Sequence, residues 1–252
     1  GNAEADIRRN LIKRRIIKAI ISLPPNLFYG TGIPACIIVL DKENAAARDG
    51  IFMIDASKGF IKDGAKNRLR EQDIQKAMDV FHECQEIPGY SRMVPLAEID
   101  ANDYNLNLPR YIDSSNDEVR QNLFAHLNGG IPDDDLRELD DYWQVFPQLR
   151  TQLFSPSVHV GYSVLNVPSG NIRSLILESP EFQQFRTAVE NRLSRWMQQT
   201  RELMMGLHVG VHAKDFIRTL GDSLRELFHD MHLVDEYDVY QRLMDYLSLI
   251  HI

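Results

Sequence analysis

The sequence is short of features that carry chemistry by themselves. It holds two cysteines, Cys36 and Cys84, in 252 residues. That is too few for a disulfide framework, and they read as reduced thiols of a cytoplasmic protein. No apolar run approaches the ~18 residues that a membrane-spanning helix needs, so no membrane partner is expected. The polar, charged N-terminus is not a secretory signal. Neither cysteine has another nearby, which excludes a zinc knuckle. His208 and His212 are four apart, but Val209 follows His208 where a zincin has glutamate, and a third ligand is missing. There is no G-x-S-x-G nucleophile elbow. Gly30-Thr31-Gly32 lacks a third glycine and precedes an apolar run of strand type, so it is not a dinucleotide or phosphate loop. A free-standing metal hydrolase would rest only on scattered histidines. Asp133-Asp134-Asp135 is better explained as a helix start than as a metal cluster.

What is present is the composition of a globular protein, 44% hydrophobic and 25% charged, with a mass of 29.0 kDa. The net charge of −8 speaks against a polyanionic partner only as an average. Residues 1–70 carry 13 Lys and Arg against 7 Asp and Glu, a balance of +6; the remainder carries 15 against 29, a balance of −14. A basic segment on an acidic body suggests two different partners. The basic start (Arg8, Arg9, Lys13, Arg14, Arg15) is open to two readings, a polyanion-binding face or a solvated helix face. The chain opens at Gly1 without a methionine and is read as a piece of a longer protein, so a whole catalytic site need not be present.

Periodicity predicts a helix over 3–14, with Ile7, Leu11 and Ile12 on one face. Two buried strands follow, over 16–23 and 35–40, ended and separated by Pro24-Pro25 and the turn-rich loop NLFYGTGIP (26–34). A third is expected over 51–55. With no helix between them, the first two strands pair antiparallel. A helix is predicted over 71–84, with Ile74, Ala77, Met78 and Phe81 inward. Residues 90–99 read as a strand with a proline break and 103–112 as irregular. A domain boundary is expected near Ser114, giving units 1–113 and 114–252. Beyond it, helices are expected over 117–128 and 132–146, a loop over 155–172, and a long helix from Ser179-Pro180-Glu181. Its stripe is Phe182, Phe185, Val189, Leu193, Trp196, Leu203 and Leu207, with Thr200 as one polar interruption. Helices over 214–231 and 235–250 complete the chain. The fold class is therefore α/β followed by mainly α.

The 26–34 loop carries Phe28 and Tyr29 outward between two strands. Two readings of Phe28 are open from local pattern: a plug for the sheet edge, or a platform on which a base stacks. The run IIKAIISLPPNLFYGTGIPACIIVL (16–40), with IDAS (54–57) and DYNLNLPRYI (103–112), resembles the modification subunit of type I restriction-modification systems. The resemblance covers residues 3 to about 150 and continues through GGIPDDDLRELDDYW (129–143). Members of that family are adenine-specific DNA methyltransferases that use S-adenosylmethionine. The resemblance implies the C-terminal part of such a subunit: the end of a Rossmann-like methyltransferase sheet, with its antiparallel final strand pair, then a helical docking domain. The family's cofactor glycines and its Asn/Asp-Pro-Pro-Phe/Tyr tetrad are not found here, since Pro24-Pro25 stands in LPPN. No catalytic, cofactor-binding or metal residue is therefore expected in this piece, which should be inactive alone.

The resemblance further implies that Phe28, with Tyr29 beside it, stacks on the extruded adenine. Lys58, Lys62, Lys66 and Arg68 then lie along the phosphate backbone, or else form a solvated basic loop. The implied partners are DNA, the specificity and restriction subunits, and a second modification subunit. The stripe of the long helix serves either docking on the specificity subunit or an internal bundle. The rival reading is a non-catalytic helical adaptor whose basic start contacts acidic partners.

Overall fold

A computed structural model describes residues 2–114 and 122–249. The chain divides into two compact units, Gly1–Glu118 and Val119–Ile252.

The first unit opens with helix α1 (Asn2–Lys13), strands β1 (Ile17–Ser22), β2 (Cys36–Leu40) and β3 (Gly50–Asp55), and a small pair, β4 (Ile61–Asp63) and β5 (Lys66–Arg68). Helix α2 (Glu71–Glu83), strand β6 (Ser91–Pro95) and helix α3 (Leu96–Ala101) follow. Four strands make one sheet in the order β2-β1-β3-β6. β1 runs antiparallel to β2 and parallel to β3, and β6 runs antiparallel to β3. Both faces of the central pair are covered. Ile17, Ile20, Ile51 and Met53 pack beneath Ile12 of α1, Ile99 of α3 and the 108–112 segment. Ala19, Ile21, Phe52 and Ile54 pack against Val80 of α2. Ile17 and Ile20 share a face although three residues apart, because the register shifts between Ile17 and Ala19. The extra residue inverts the alternation that a straight strand would keep.

Several expectations are corrected here. β2 was expected to be buried, yet Ile37, Ile38 and Leu40 are exposed. It lies at the sheet edge with β1 as its one strand neighbour, so apolar composition alone does not bury it. Ile74 and Met78 face solvent on α2, whose inner face is Ala77, Val80 and Phe81. The strand over 90–99 stops at Pro95, and Leu96 to Ile99 turn into α3. The pair β4–β5 is joined by the two-residue turn Gly64-Ala65, where Gly64 has a φ of 60°.

The second unit contains short helices α4 (Leu123–Asn128), α5 (Asp133–Arg137), α6 (Asp140–Val145) and α7 (Pro147–Leu153) around strands β7 (Ile131–Pro132), β8 (Phe154–Pro156) and β9 (Tyr162–Leu165). It ends with α8 (Ile172–Glu178), α9 (Pro180–Met205), α10 (Ala213–Phe228) and α11 (Glu236–Leu249). The strands form a sheet in the order β7-β9-β8, where sequence had suggested a loop over 155–172. The helix expected over 132–146 is two short ones, broken after Arg137. The first part of the helix expected over 117–128 lies outside the described residues. α9 starts as its cap predicts, with the Ser179 hydroxyl accepting from the Phe182 amide, and ends at Met205.

The α9 stripe is partly consumed within the unit. Phe182 and Phe185 pack on Phe146, Leu149 and Leu153, and Trp196 packs on Phe216, Leu220, Leu224 and Phe228 of α10. Leu193, Leu203 and Leu207 remain exposed. Thr200 is buried, and its hydroxyl donates back to the Trp196 carbonyl at 2.8 Å, so it is no interruption of the packed face. α10 meets α11 at Gly221, where an added Cβ would lie 2.5 Å from the Tyr240 ring.

Alanine normally stabilises a helix interior over glycine by about 1 kcal/mol. Gly221→Ala is expected to reverse that sign and destabilise this unit by about 1–3 kcal/mol through overpacking. Both tryptophans, Trp143 and Trp196, lie in this unit, so urea unfolding followed by tryptophan fluorescence measures it.

Candidate functional site

The site is built where β1 and β3, running parallel, end side by side at Ser22 and Asp55. Ligands of open α/β sheets bind beyond such carboxyl ends. Asp55 is 8% exposed, and its carboxylate accepts from the Ser22 hydroxyl at 2.6 Å and the Ser57 amide at 3.1 Å. Burial pushes this carboxyl up, but hydrogen bonds from the Ser114, Ser22 and Ser57 side chains and the Ser57 amide outweigh it, so its pKa lies below the ordinary aspartate value. The carboxylate thus joins the end of β1, the segment leaving β3, and the segment at Ser114. Beside it, a groove of about 730 Å³ runs between α1, β1–β2 and the 106–109 segment, walled by residues such as Leu11, Ile20, Ile38 and Leu106.

The 23–35 loop leaves β1 directly above this point. Phe28 and Tyr29 are 53% and 94% exposed, so neither ring is spent on the core. Ile33, on the same loop, is also exposed. The loop is nonetheless held. Asn67 is 4% exposed; its backbone amide donates to the Asn26 carbonyl at 3.0 Å and its side-chain amide to the Pro25 carbonyl at 2.7 Å. The Lys66 ammonium donates to the Phe28 carbonyl at 2.5 Å and sits 5.5 Å from the Tyr29 ring centroid.

The four basic residues singled out from sequence are spread unequally. Lys58 follows β3, Lys62 is on β4, and Lys66 and Arg68 are on β5. Lys66 alone of these reaches the loop in the contacts described. Lys62 lies over the Phe60 ring, and Arg68 pairs with Asp63 at 3.3 Å. The basic start of the chain is also partly engaged at home. Arg9 and Lys13 lie over the Tyr104 ring, and Arg15 donates to the Ala46 carbonyl and pairs with Asp49. Asp55 and Asn67 escaped sequence reasoning. Asp55 stands in an apolar strand run, and Asn67 meets its partners about forty residues earlier, at Pro25 and Asn26. Among the described residues, no group of three His, Cys, Asp or Glu is placed to hold a metal ion, and no helix is long and apolar enough to cross a membrane.

Residues 1–119 match the family described as N-6 DNA Methylase. The chain is 40% identical over 116 residues to the type I restriction enzyme MjaVII methylase subunit of Methanocaldococcus jannaschii, 35% over 111 residues to the MpnII methylase subunit of Mycoplasma pneumoniae, and 32% over 124 residues to the HindI methylase subunit of Haemophilus influenzae. These matches cover 44%, 44% and 46% of this chain. They cover 20%, 20% and 28% of the relatives, so the match spans less than a third of their length. A crystal structure of a type I restriction-modification methyltransferase subunit from Streptococcus thermophilus is similar at 37% identity, with a TM-score of 0.42, over 46% of this chain and 24% of that one. The family match ends at residue 119, before the run 129–143 that also suggested the resemblance.

A carboxylate with a depressed folded pKa contributes stability fully above the ordinary aspartate value of ~3.9 and loses it as pH falls through the folded value. Asp55→Asn is expected to be less stable than the parent at neutral pH and to lose less further stability between about pH 5 and 3. Urea titrations followed by circular dichroism across that range measure both effects. An unchanged acid limb in the variant would remove Asp55 from its linking role.

Proposed function

We propose that the chain is the C-terminal part of a type I modification subunit that methylates adenine in DNA with S-adenosylmethionine. In this reading the first unit is the end of a Rossmann-like methyltransferase sheet, whose missing strand adds to the open edge of β2. The 23–35 loop meets the extruded adenine, with Phe28 stacking and Tyr29 flanking. The second unit, the helical part that follows the boundary region, docks on the specificity subunit. The assembly contains DNA, the restriction subunit and a second modification subunit, and it works in the cytoplasm.

The observation that carries this reading is the loop itself. Two neighbouring aromatics stand in solvent between antiparallel β1 and β2, at the carboxyl ends of the parallel strands, on a backbone anchored by a basic hairpin. Extruding a base costs a few kcal/mol, and an aromatic face returns about 1–3 kcal/mol by stacking. That balance gives a wet aromatic loop a purpose that a core has no use for.

The residues present do not fit a cofactor site. Gly30-Thr31-Gly32 leads into β2 and not into a helix N-terminus, so it cannot cradle the cofactor as a glycine turn before a helix does. The Asp55 carboxylate is already occupied by serine donors. No catalytic step is therefore assigned to this chain, and the piece alone is inactive.

Two measurements test the reading. Calorimetry of the isolated chain with S-adenosylmethionine is expected to show no binding; clear binding would place a cofactor site in this piece and refute the division of labour. In the full-length enzyme, Phe28→Ala is expected to slow methylation of duplex DNA about tenfold or more, on the scale of one lost stacking contact. The loss should be smaller on DNA whose target adenine is mismatched and already loosened. Equal losses on both substrates would speak against stacking.

A further inference from the structure

The basic residues near the loop invite a single explanation, contact with phosphates, but their geometry separates them. Lys62 and Arg68 have their contacts within the β4–β5 hairpin and its approach, at Phe60 and Asp63. Lys66 and Asn67 turn the other way. Between them they bind the carbonyls of Pro25, Asn26 and Phe28, about forty residues earlier in the chain. Three carbonyls within a four-residue stretch are thus held by two adjacent residues of one strand. The stretch needs holding, since Asn26 is left-handed at a φ of 57°, a conformation that a non-glycine residue seldom adopts.

The orientation of the Asn67 amide is set by its bond to Pro25, which leaves its Oδ1 buried and without a hydrogen-bond partner. A buried acceptor left open in this way disfavours folding, so the donor on the same amide is kept in place at some cost in stability. Lys66 is the lever on the aromatic pair itself. Its ammonium grips the carbonyl of Phe28 while lying over the ring of Tyr29, so its charge fixes backbone and ring together.

We propose that Lys66 and Asn67 are positioning residues for the target-base loop, and that Lys66 spends its charge on presenting Phe28 and Tyr29 and not on a DNA phosphate. The proposal rests on the base-stacking reading of Phe28 for its purpose but not for its geometry, and the test keeps the two apart.

The variants are Lys66→Met, which keeps an unbranched apolar stem but removes the donor and charge, and Lys66→Arg, which restores both. The first readout uses the full-length enzyme with 2-aminopurine in place of the target adenine. Lys66→Met is expected to lower the base-extrusion signal about tenfold, the scale of one lost charge-assisted hydrogen bond. Lys66→Arg is expected to recover most of it. Combining Lys66→Met with Phe28→Ala should add little beyond Phe28→Ala alone, because the anchor acts through that ring. The second readout is the slope of log affinity against log salt for DNA binding. A lost phosphate contact lowers that slope by about 0.9, whereas a loop anchor leaves it unchanged.

A lowered slope with parallel losses of methylation on duplex and mismatched DNA would overturn the proposal in favour of a phosphate contact. So would an extrusion signal that does not change. The third readout is independent of DNA: chymotrypsin cleavage after Phe28 and Tyr29 in the folded 252-residue chain. Lys66→Met and Asn67→Asp are each expected to speed it about fivefold or more, since local opening sets cleavage at loop tips. Faster cleavage without any effect of Phe28→Ala on extrusion would retain the anchor and refute only the stacking reading. Unchanged cleavage in both variants refutes the anchor.

Discussion

The first unit depends on the parallel pairing of β1 and β3, because that pairing brings Ser22 and Asp55 to the same level. From there one carboxylate ties together three chain segments remote in sequence. Parallel pairing needs a crossover, since the chain must return to the end from which it started. Here the return passes through β2, so the loop at the top is committed by the sheet topology. Its aromatics are placed where they are because a strand must turn back beside β1 before β3 can be laid down. The two apolar layers on either face of β1 and β3 then make this arrangement stiff.

Sequence made the parts with strong local signals legible. The apolar β-branched runs at 17–22 and 50–55, the antiparallel pairing of the first two strands, and the Ser179 cap of α9 follow from periodicity, loop length and capping chemistry. Burial of β2 was misjudged because an apolar run reports what a residue would prefer, whereas its place at the sheet edge is decided by neighbours. Ile74 and Met78 failed for a related reason: several apolar stripes can be drawn on α2, and the sheet chose the one that includes Val80. The strands β8 and β9 are short and separated by a turn, too brief for alternation to stand out.

At the candidate site, Phe28 and Tyr29 could be picked out because two adjacent aromatics in a turn-rich loop are unusual on local grounds. Asp55, Lys66 and Asn67 needed the fold. Their importance lies in partners 33 to 42 residues away, and no window along the chain contains both ends of such a contact. The charge asymmetry behaves likewise. Much of the basic excess in residues 1–70 is engaged by nearby rings, carbonyls and carboxylates, so a regional sum overstates the cationic surface offered to a polyanion.

The open strand β2 has a consequence for what the first unit can join. Its outer main-chain groups have no strand to pair with among the described residues, and Ile37, Ile38 and Leu40 line both faces of that ribbon. Natural sheets guard such edges with charge, proline or a bulge. Here the register shift lies on β1, and β2 itself is uncharged from Cys36 to Leu40. The edge therefore remains able to take a further strand in main-chain pairing. A neighbouring strand can be laid on that surface without rearranging anything beneath it.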